Sequence, residues 1–161
     1  MAFYRANPLM KANLTELLNK LESDGRPGLK NSISISWIKY EKQEPSACSG
    51  YGVGWNETLA VYPASVVKLF YAVAAEAWLQ KDLLLETVEL RRSLREMIRN
   101  SSNDATSLVI DLLTGTTSGP EIPGERWLSW QKQRNLINEW MLSLNWPELQ
   151  NCNCCQKTWT D

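Results

Sequence analysis

The stretch Tyr62-Pro63-Ala64-Ser65-Val66-Val67-Lys68-Leu69-Phe70 is the most informative part of this sequence. Pro63 ends extended structure, and the apolar residues after it predict a helix from near Ser65 to about Gln80. Residues three apart share a helix face, so the Lys68 amine can reach the Ser65 hydroxyl. A serine hydroxyl becomes a good nucleophile when a neighbouring base takes its proton. The chain contains no histidine, so lysine is the candidate base, and Ser-His-Asp hydrolysis and histidine-ligated metal sites are excluded.

The Ser-x-x-Lys spacing occurs three times, and only its position distinguishes the matches. Ser36-x-x-Lys39 lies in a predicted strand, where residues three apart point to opposite faces. Ser129-x-x-Lys132 lies inside a predicted helix. Only Ser65-x-x-Lys68 falls at a strand-to-helix turn, where free amides and the helix dipole favour negative charge on a bound substrate. Apolar neighbours would also lower the pKa of Lys68. The structural alternative is an ordinary N-cap serine with a lysine that extends to solvent.

A second polar element, Arg99-Asn100-Ser101-Ser102-Asn103-Asp104-Ala105-Thr106, occupies a predicted turn between two helices. Serine, asparagine and aspartate favour helix starts for structural reasons, so a cluster of N-caps is one interpretation. A Ser-x-Asn turn that follows Ser-x-x-Lys is the other, because penicillin-interacting enzymes combine these two motifs with a Lys-Thr-Gly strand. The two motifs in this order are more specific than either alone.

The rest of the chain predicts an α+β fold with few strands. Asn13-Leu14-Thr15-Glu16 is typical of a capping box, and it predicts a short helix that ends near Gly25. Alternation over residues 32–40, with Ile33, Ile35 and Trp37 on one face, predicts a strand. A second strand is predicted at residues 51–55, with Val61-Tyr62 as a possible extension. Helical spacing then predicts helices over residues 87–98, 103–113 (stopped by Gly115) and 126–144.

Composition limits the classes of function. The chain has 161 residues and a formal net charge of −1, so it lacks the excess of basic residues that is typical of nucleic-acid-binding proteins. No apolar run approaches the ~20 residues that a membrane span needs. The start of the chain lacks the layout of a secretory signal, so a cytoplasmic location is expected for the chain as written. The sequence predicts no cofactor and leaves the oligomeric state open.

The cysteines leave two interpretations open. Cys152, Cys154 and Cys155 are close together, and Cys48 stands alone. A Cys-x-Cys-Cys run can hold a soft metal, but structural zinc sites usually pair Cys-x-x-Cys with a second ligand pair elsewhere. No such pair exists in the sequence, so we expect thiols in a loop and no metal site. Their role is not predicted.

Residues 61–161 resemble the class A β-lactamase and penicillin-binding protein superfamily of serine hydrolases. The resemblance rests on the Ser65 stretch and the Ser-Ser-Asn-Asp-Ala-Thr-Ser turn, together with the Leu-Thr-Gly-Thr-Thr-Ser-Gly-Pro-Glu loop at residues 113–121. The Gln133-Arg134 helix and the Cys155-Gln156-Lys157-Thr158-Trp159 ending are also similar. Residues 1–60 fit more loosely, as the leading helix and first strands. The resemblance thus implies a β-lactamase/transpeptidase-like α+β fold, with a helix-rich lobe and only the first strands of the antiparallel sheet.

The resemblance also implies roles for individual residues. Ser65 would be the acylated nucleophile, and its backbone N–H would be one oxyanion donor. Lys68 would take its proton, directly or through water. Ser101 would relay a proton to the leaving nitrogen, and Asn103 would hold the side-chain amide of a substrate. The substrate would be a small amide or ester, such as a β-lactam or a peptidoglycan-like compound.

Several features depart from the family pattern. Ser102 stands where class A enzymes have aspartate, and Lys157-Thr158-Trp159 has tryptophan in place of the glycine of Lys-Thr-Gly. We therefore expect residues 1–161 to form a single partial domain: residues 1–60, a helical lobe at 61–146, and a truncated tail at 147–161. In the family, the Lys-Thr-Gly strand would supply the second oxyanion N–H. One such donor is worth roughly 10²–10³ in rate. Glu148 is only a weak candidate for a deacylating residue.

The sequence leaves three functions open. The first is a β-lactamase-like hydrolase that is acylated at Ser65 and impaired by truncation. The second is a D,D-peptidase, esterase or amidase of the same superfamily, which the two motifs cannot distinguish from the first. The third is a non-catalytic remnant that binds a partner through helix faces bearing Trp127, Trp130 and Trp140.

Overall fold

The fold is α+β and rich in helix. The computed structural model describes residues 4–42, 46, 48–117, 119 and 122–154. The chain divides into two compact units, Met1–Val61 and Tyr62–Asp161. Within the described residues, the first unit contains two helices and the sheet, and the second contains five α-helices and two short 3-10 turns.

The first unit packs a helix against a three-stranded sheet. Helix α1 spans Pro8–Ser23 and the short α2 spans Leu29–Ser32. The strands are β1 (Arg5–Ala6), β2 (Ile35–Lys39) and β3 (Tyr51–Trp55), in the order β1-β3-β2. The pairing of β2 with β3 is antiparallel, whereas that of β1 with β3 is parallel. The sheet is therefore mixed, and β1 was missed in the sequence because two residues are too few to show alternation.

Helix α1 begins earlier than the predicted capping box at Asn13. The side chain of Asn7 accepts the N–H of Met10, and Pro8 occupies the first helical position. Asparagine at the N-cap and proline just inside the helix are strong start signals. They start the helix six residues before Asn13, so the predicted start was wrong. The predicted stop near Gly25 was right: the helix ends at Ser23, Asp24 is its C-cap, and Gly25 follows with a φ of +93°.

The core of the first unit is small. Met10, Leu14, Leu18 and Val53 are buried, with Ile33 and Ile35 packed against them. Trp37 was predicted on the same face, but 43% of its surface is exposed. Helix α1 packs against β3, whereas β2 is an edge strand of the sheet, which explains why Trp37 is incompletely covered. Residues 61 and 62 are not in a strand, so the predicted extension of the second strand was wrong.

The second unit is helical. A 3-10 turn, Ala64–Val67, leads directly into α3 (Lys68–Gln80). Four further helices follow, and their bounds are α4 Val88–Arg99, α5 Asn103–Thr114, α6 Glu125–Arg134 and α7 Leu136–Ser143. A final 3-10 turn is Pro147–Leu149. The predicted helices at 87–98 and 103–113 are confirmed within one residue at each end, and Gly115 ends α5 in the left-handed conformation.

The predicted single helix over residues 126–144 is two helices. The break is at Asn135, whose side-chain oxygen accepts a hydrogen bond from the Asn138 amide at 2.9 Å. Asparagine competes with the helix backbone through such local bonds, which weakens helix continuity. Ile137 and Met141 on α7 still enter the core, while Trp127 on α6 is half-exposed.

Helices α3, α4 and α5 surround the main core, which α7 completes. Each of these four helices contributes fully buried side chains, namely Tyr71, Leu90, Met97, Val109, Ile110, Ile137 and Met141. Burying a side chain of this size contributes roughly 1.5–3 kcal/mol. This core fixes α3 against α5, and so it sets where Lys68 lies relative to the start of α5.

A buried polar network joins α5 to the end of α6. Arg134 is 5% exposed, and its Nη1 donates to Asp111 Oδ1 at 3.1 Å and to Thr116 Oγ1 at 2.9 Å. The guanidinium carbon also lies 5.1 Å from the ring centroid of Trp130. A buried charge needs this kind of partner set, because desolvation otherwise makes it costly.

None of the helices that the structure describes has the length and apolar character needed to cross a bilayer.

Candidate active site

The nucleophile candidate lies on the 3-10 turn that precedes α3. Ala64 has a φ of +47°, a conformation that residues other than glycine adopt rarely, and it turns the chain into the helix. Ser65 is exposed, whereas Lys68, one turn later at the start of α3, is 3% exposed. The Ser65 N–H belongs to the first turn, where amides have no acceptor within the helix.

The second element is the turn between α4 and α5. Ser101 follows α4 with a φ of +52°, so it is also in the left-handed region, and the next amide, that of Ser102, returns to the carbonyl of Glu96 at 3.2 Å. Ser102 caps α5, because its hydroxyl oxygen accepts the N–H of Ala105 at 3.2 Å. The Ser102 hydroxyl therefore has a structural role of its own, as the N-cap of α5.

The Lys68 amine brings the two elements together. Its Nζ lies 3.2 Å from Ser65 Oγ, 2.9 Å from Ser101 Oγ and 2.8 Å from Asn103 Oδ1. The carbonyl oxygen of Ser101 is closer still, at 2.7 Å. An ammonium group has three N–H donors, so these four acceptors share them, and the Ser65 contact is the longest. All four residues predicted to form the site are in one cluster.

Burial weakens the preference of Lys68 for its charged form. Burial lowers the pKa of Lys68 below its usual value of 10.5, because desolvation disfavours the charged form. Its acceptors are hydroxyl, carbonyl and amide oxygens, and no carboxylate among the described residues lies within ion-pair distance of Nζ. Once the amine has lost its proton, its lone pair lies within reach of the Ser65 hydroxyl and can accept the proton of that hydroxyl.

Among the residues that the structure describes, the other two Ser-x-x-Lys matches form no such cluster. Ser36 and Lys39 lie in β2, and Ser129 and Lys132 lie on the exposed side of α6. Each pair occupies the kind of element predicted from the sequence. Ser129 is therefore a natural comparison for experiments on Ser65.

Several other predictions concern residues near the end of the chain. Glu148 lies in the turn Pro147–Leu149, and its side chain is outside the described part of the structure. The ending Cys155-Gln156-Lys157-Thr158-Trp159 lies outside the described residues. So does Glu121, the last residue of the loop at residues 113–121. Cys154 is buried in the core, 3.7 Å from the Met141 sulfur. Among the described residues there is no group of three or more potential metal ligands.

Two features of the site were not predicted from the sequence. The Ser101 carbonyl is the closest acceptor of Lys68, but a backbone group leaves no mark in a side-chain pattern. The left-handed conformations of Ala64 and Ser101 also carry no signal, because glycine or asparagine is the usual marker of such positions.

Comparisons of this chain with models of protein families, with curated proteins and with solved structures find no match.

Proposed function

We propose that this chain is a β-lactamase-like serine hydrolase in which Ser65 is acylated by a β-lactam or a related amide or ester. Lys68 acts as the base. The observation that carries the proposal is the position of the Lys68 amine. It is buried, it has no carboxylate partner among the described residues, and it lies within hydrogen-bond distance of two serine hydroxyls. An ordinary N-cap serine with a solvated lysine would leave that amine exposed.

The first chemical step follows from this arrangement. The neutral Lys68 amine takes the Ser65 proton as Oγ forms a bond to the substrate carbonyl carbon. Negative charge then moves onto the carbonyl oxygen. In this proposal the Ser65 N–H donates to that oxygen, since its place in the first turn leaves it without a helical acceptor. No metal or cofactor takes part.

The second step transfers the proton to the leaving nitrogen. Ser101 Oγ lies 2.9 Å from Lys68 Nζ, so it can receive the proton from the lysine and donate its own to the leaving group. Asn103 places Oδ1 on the lysine, which leaves its Nδ2 as a donor to an amide carbonyl of the substrate. The carbon–nitrogen bond of the substrate breaks, and an acyl-Ser65 ester remains.

We propose a β-lactamase/transpeptidase-like fold as well. A helical unit with Ser-x-x-Lys at the start of one helix and Ser-x-Asn at the start of another fits the helix-rich lobe of a β-lactamase/transpeptidase-like domain. The helix and strands of residues 4–55 would be its leading elements. The shared chemistry of this superfamily is acylation, so the decisive experiment looks for a covalent adduct rather than for turnover.

We expect a fluorescent penicillin to label this protein covalently at Ser65. The adduct should be found by mass spectrometry in the peptide that contains Ser65, and it should be lost in Ser65→Ala. Ser129→Ala is the matched control, because that serine has the same spacing to a lysine but no buried amine beside it, and it should keep full labelling.

A D,D-peptidase or esterase would be labelled as well, and a panel of thioester and D-alanyl ester substrates would then identify the preferred acyl donor. A folded protein that forms no adduct with any of these probes would contradict the proposal and favour the non-catalytic alternative.

The strained backbone at Ser101 allows a second prediction. Ser101→Gly and Ser101→Ala both remove the hydroxyl, so both should slow acylation to a similar extent. Only glycine adopts the left-handed conformation without strain, and so Ser101→Gly should be more stable than Ser101→Ala by about 1 kcal/mol. Urea denaturation and the rate of penicillin labelling measure the two effects. Asn145→Gly is the control, because Asn145 has a φ of +53° but lies outside the site, so labelling should not change. Equal stability of the two Ser101 variants would show that the turn is not strained.

A further inference from the structure

Ser102, the residue between Ser101 and Asn103, is held by hydrogen bonds at each of its polar groups. Its N–H donates to the Glu96 carbonyl at 3.2 Å, and its hydroxyl caps α5. Its carbonyl oxygen accepts two bonds from Thr106, one from the backbone N–H at 3.2 Å and one from the side-chain Oγ1 at 2.7 Å. The bond from the Thr106 hydroxyl is the shortest of these, and it holds the peptide unit that joins Ser102 to Asn103.

Packing and helix formation do not account for the hydroxyl of Thr106. The residue lies on α5 and is completely buried, and valine would fill the same space without a polar group. A threonine hydroxyl that bonds to the carbonyl four residues earlier slightly destabilises a helix. Threonine also has a lower helix propensity than alanine or leucine. A hydroxyl at this position therefore needs another physical reason.

Asn103 helps to set the direction in which the neutral Lys68 amine points. A neutral amine has two N–H groups and one lone pair. Asn103 Oδ1 and the Ser101 carbonyl oxygen, at 2.8 Å and 2.7 Å from Nζ, can only accept hydrogen bonds. They therefore take the two N–H groups, and the lone pair is left for the hydroxyls of Ser65 and Ser101. An Asn103 side chain out of place would let the amine rotate away from Ser65.

We infer that Thr106 is a positioning residue for the base: its hydroxyl holds the Ser102 carbonyl, and this places the Asn103 side chain on the Lys68 amine. The inference rests on the proposed function, because it assigns Thr106 a part in the acylation of Ser65. Thr106 itself touches neither the substrate nor the reacting atoms in this scheme. Its effect on the rate should therefore pass through Asn103.

Matched substitutions separate the hydroxyl from packing. Thr106→Val keeps the volume and removes the hydroxyl, so it should slow penicillin labelling roughly tenfold or more, since a misplacement of about 1 Å can cost roughly 10²-fold. Thr106→Ala, in a residue type with a higher helix propensity, should show the same loss. Thr106→Ser keeps the hydroxyl but loses a buried methyl group, so it should be less stable in urea and still label near the parent rate.

Thr114→Val is the matched control. Thr114 is also buried on α5, and its Oγ1 donates to the Ile110 carbonyl at 2.8 Å, but it lies at the opposite end of the helix from Asn103. Its substitution should leave the labelling rate unchanged. In the Asn103→Ala background, Thr106→Val should cause no further loss of rate, whereas independent losses would add.

The NMR signals of the Asn103 side-chain amide report the same contact without any acylation. In the full chain, Lys68→Met removes the N–H donor to Asn103 Oδ1, so it should displace these signals. Thr106→Val should displace them in the same direction, while Thr106→Ser and Thr114→Val should leave them in place.

The two measurements fail in different ways. If penicillin does not label the parent chain, the proposed function is wrong, and the Asn103 signals alone then decide whether Thr106 positions that side chain. Asn103 signals that stay in place in Thr106→Val would overturn the inference. A Thr106→Val chain that labels at the parent rate, or losses that add to those of Asn103→Ala, would overturn it as well.

Discussion

Lys68→Met is expected to slow the acylation of Ser65 by roughly 10²–10⁴-fold, the contribution that a positioned general base makes. Methionine matches the length of the lysine stem but has no basic nitrogen. The hydroxyl of Ser65 would then keep its proton, even though the residue itself is unchanged. The rate of labelling by a fluorescent penicillin measures the effect, and circular dichroism checks the fold. Lys68→Gln serves as a second variant, because it keeps N–H donors near Ser101 and Asn103 without a base.

The matched control is Lys132→Met in α6, where the lysine is exposed and lies outside the cluster. Its labelling rate should equal that of the parent chain. If Lys68→Met and Lys68→Gln both fold and label at the parent rate, Lys68 is not the base.

The same residue predicts a pH dependence. Burial lowers the pKa of Lys68 below 10.5, so the labelling rate should rise with pH and level off below the pH at which a solvated lysine loses its proton. The stability effect has the same sign. Between the folded pKa and 10.5 the unfolded chain binds more protons at this residue than the folded chain does, so stability rises with pH. In Lys68→Met both contributions should disappear.

Arg134→Met is expected to lower the free energy of unfolding by about 3–5 kcal/mol, the usual result of breaking a buried ion pair. The variant removes the charge but keeps a long apolar side chain, so packing is largely preserved. Asp111 and Thr116 both lose the hydrogen bond that Arg134 donates. Only 20% of the Asp111 side chain is exposed, so water cannot fully replace the lost cation beside its carboxylate. Urea denaturation followed by tryptophan fluorescence measures the change.

An exposed pair provides the control for Arg134. Arg92 and Glu89 form an ion pair with 68% and 53% of their side chains exposed, so Arg92→Met should change stability by less than about 1 kcal/mol. The double variant Arg134→Met with Asp111→Leu should recover much of the loss, since an apolar pair can replace a buried ion pair at little cost. A loss at Arg134 no larger than that at Arg92 would show that the buried network contributes little to stability.

The sequence predicted well those elements whose signals are local. Helices α4 and α5 are amphipathic and begin at Thr87 and Ser102, which are good N-caps, so their bounds were nearly right. The break at Asn135 and the early start of α1 at Asn7 were missed, although both depend on asparagine side chains that bond to nearby groups. A continuous apolar pattern predicts an unbroken helix. The pattern alone does not show whether an asparagine side chain will form a local hydrogen bond that starts or interrupts that helix.

The candidate site illustrates the same division. The sequence by itself determined which groups are present: a serine and a lysine one helical turn apart, a Ser-x-Asn turn that follows them, and no histidine. Only the tertiary structure decided that the Lys68 amine is buried and that it meets Ser101 and Asn103, which lie 33 and 35 residues away. Spacing along one helix sets local reach, whereas desolvation and long-range contacts depend on how α3 packs against α5, and a pattern in the sequence does not encode that packing directly.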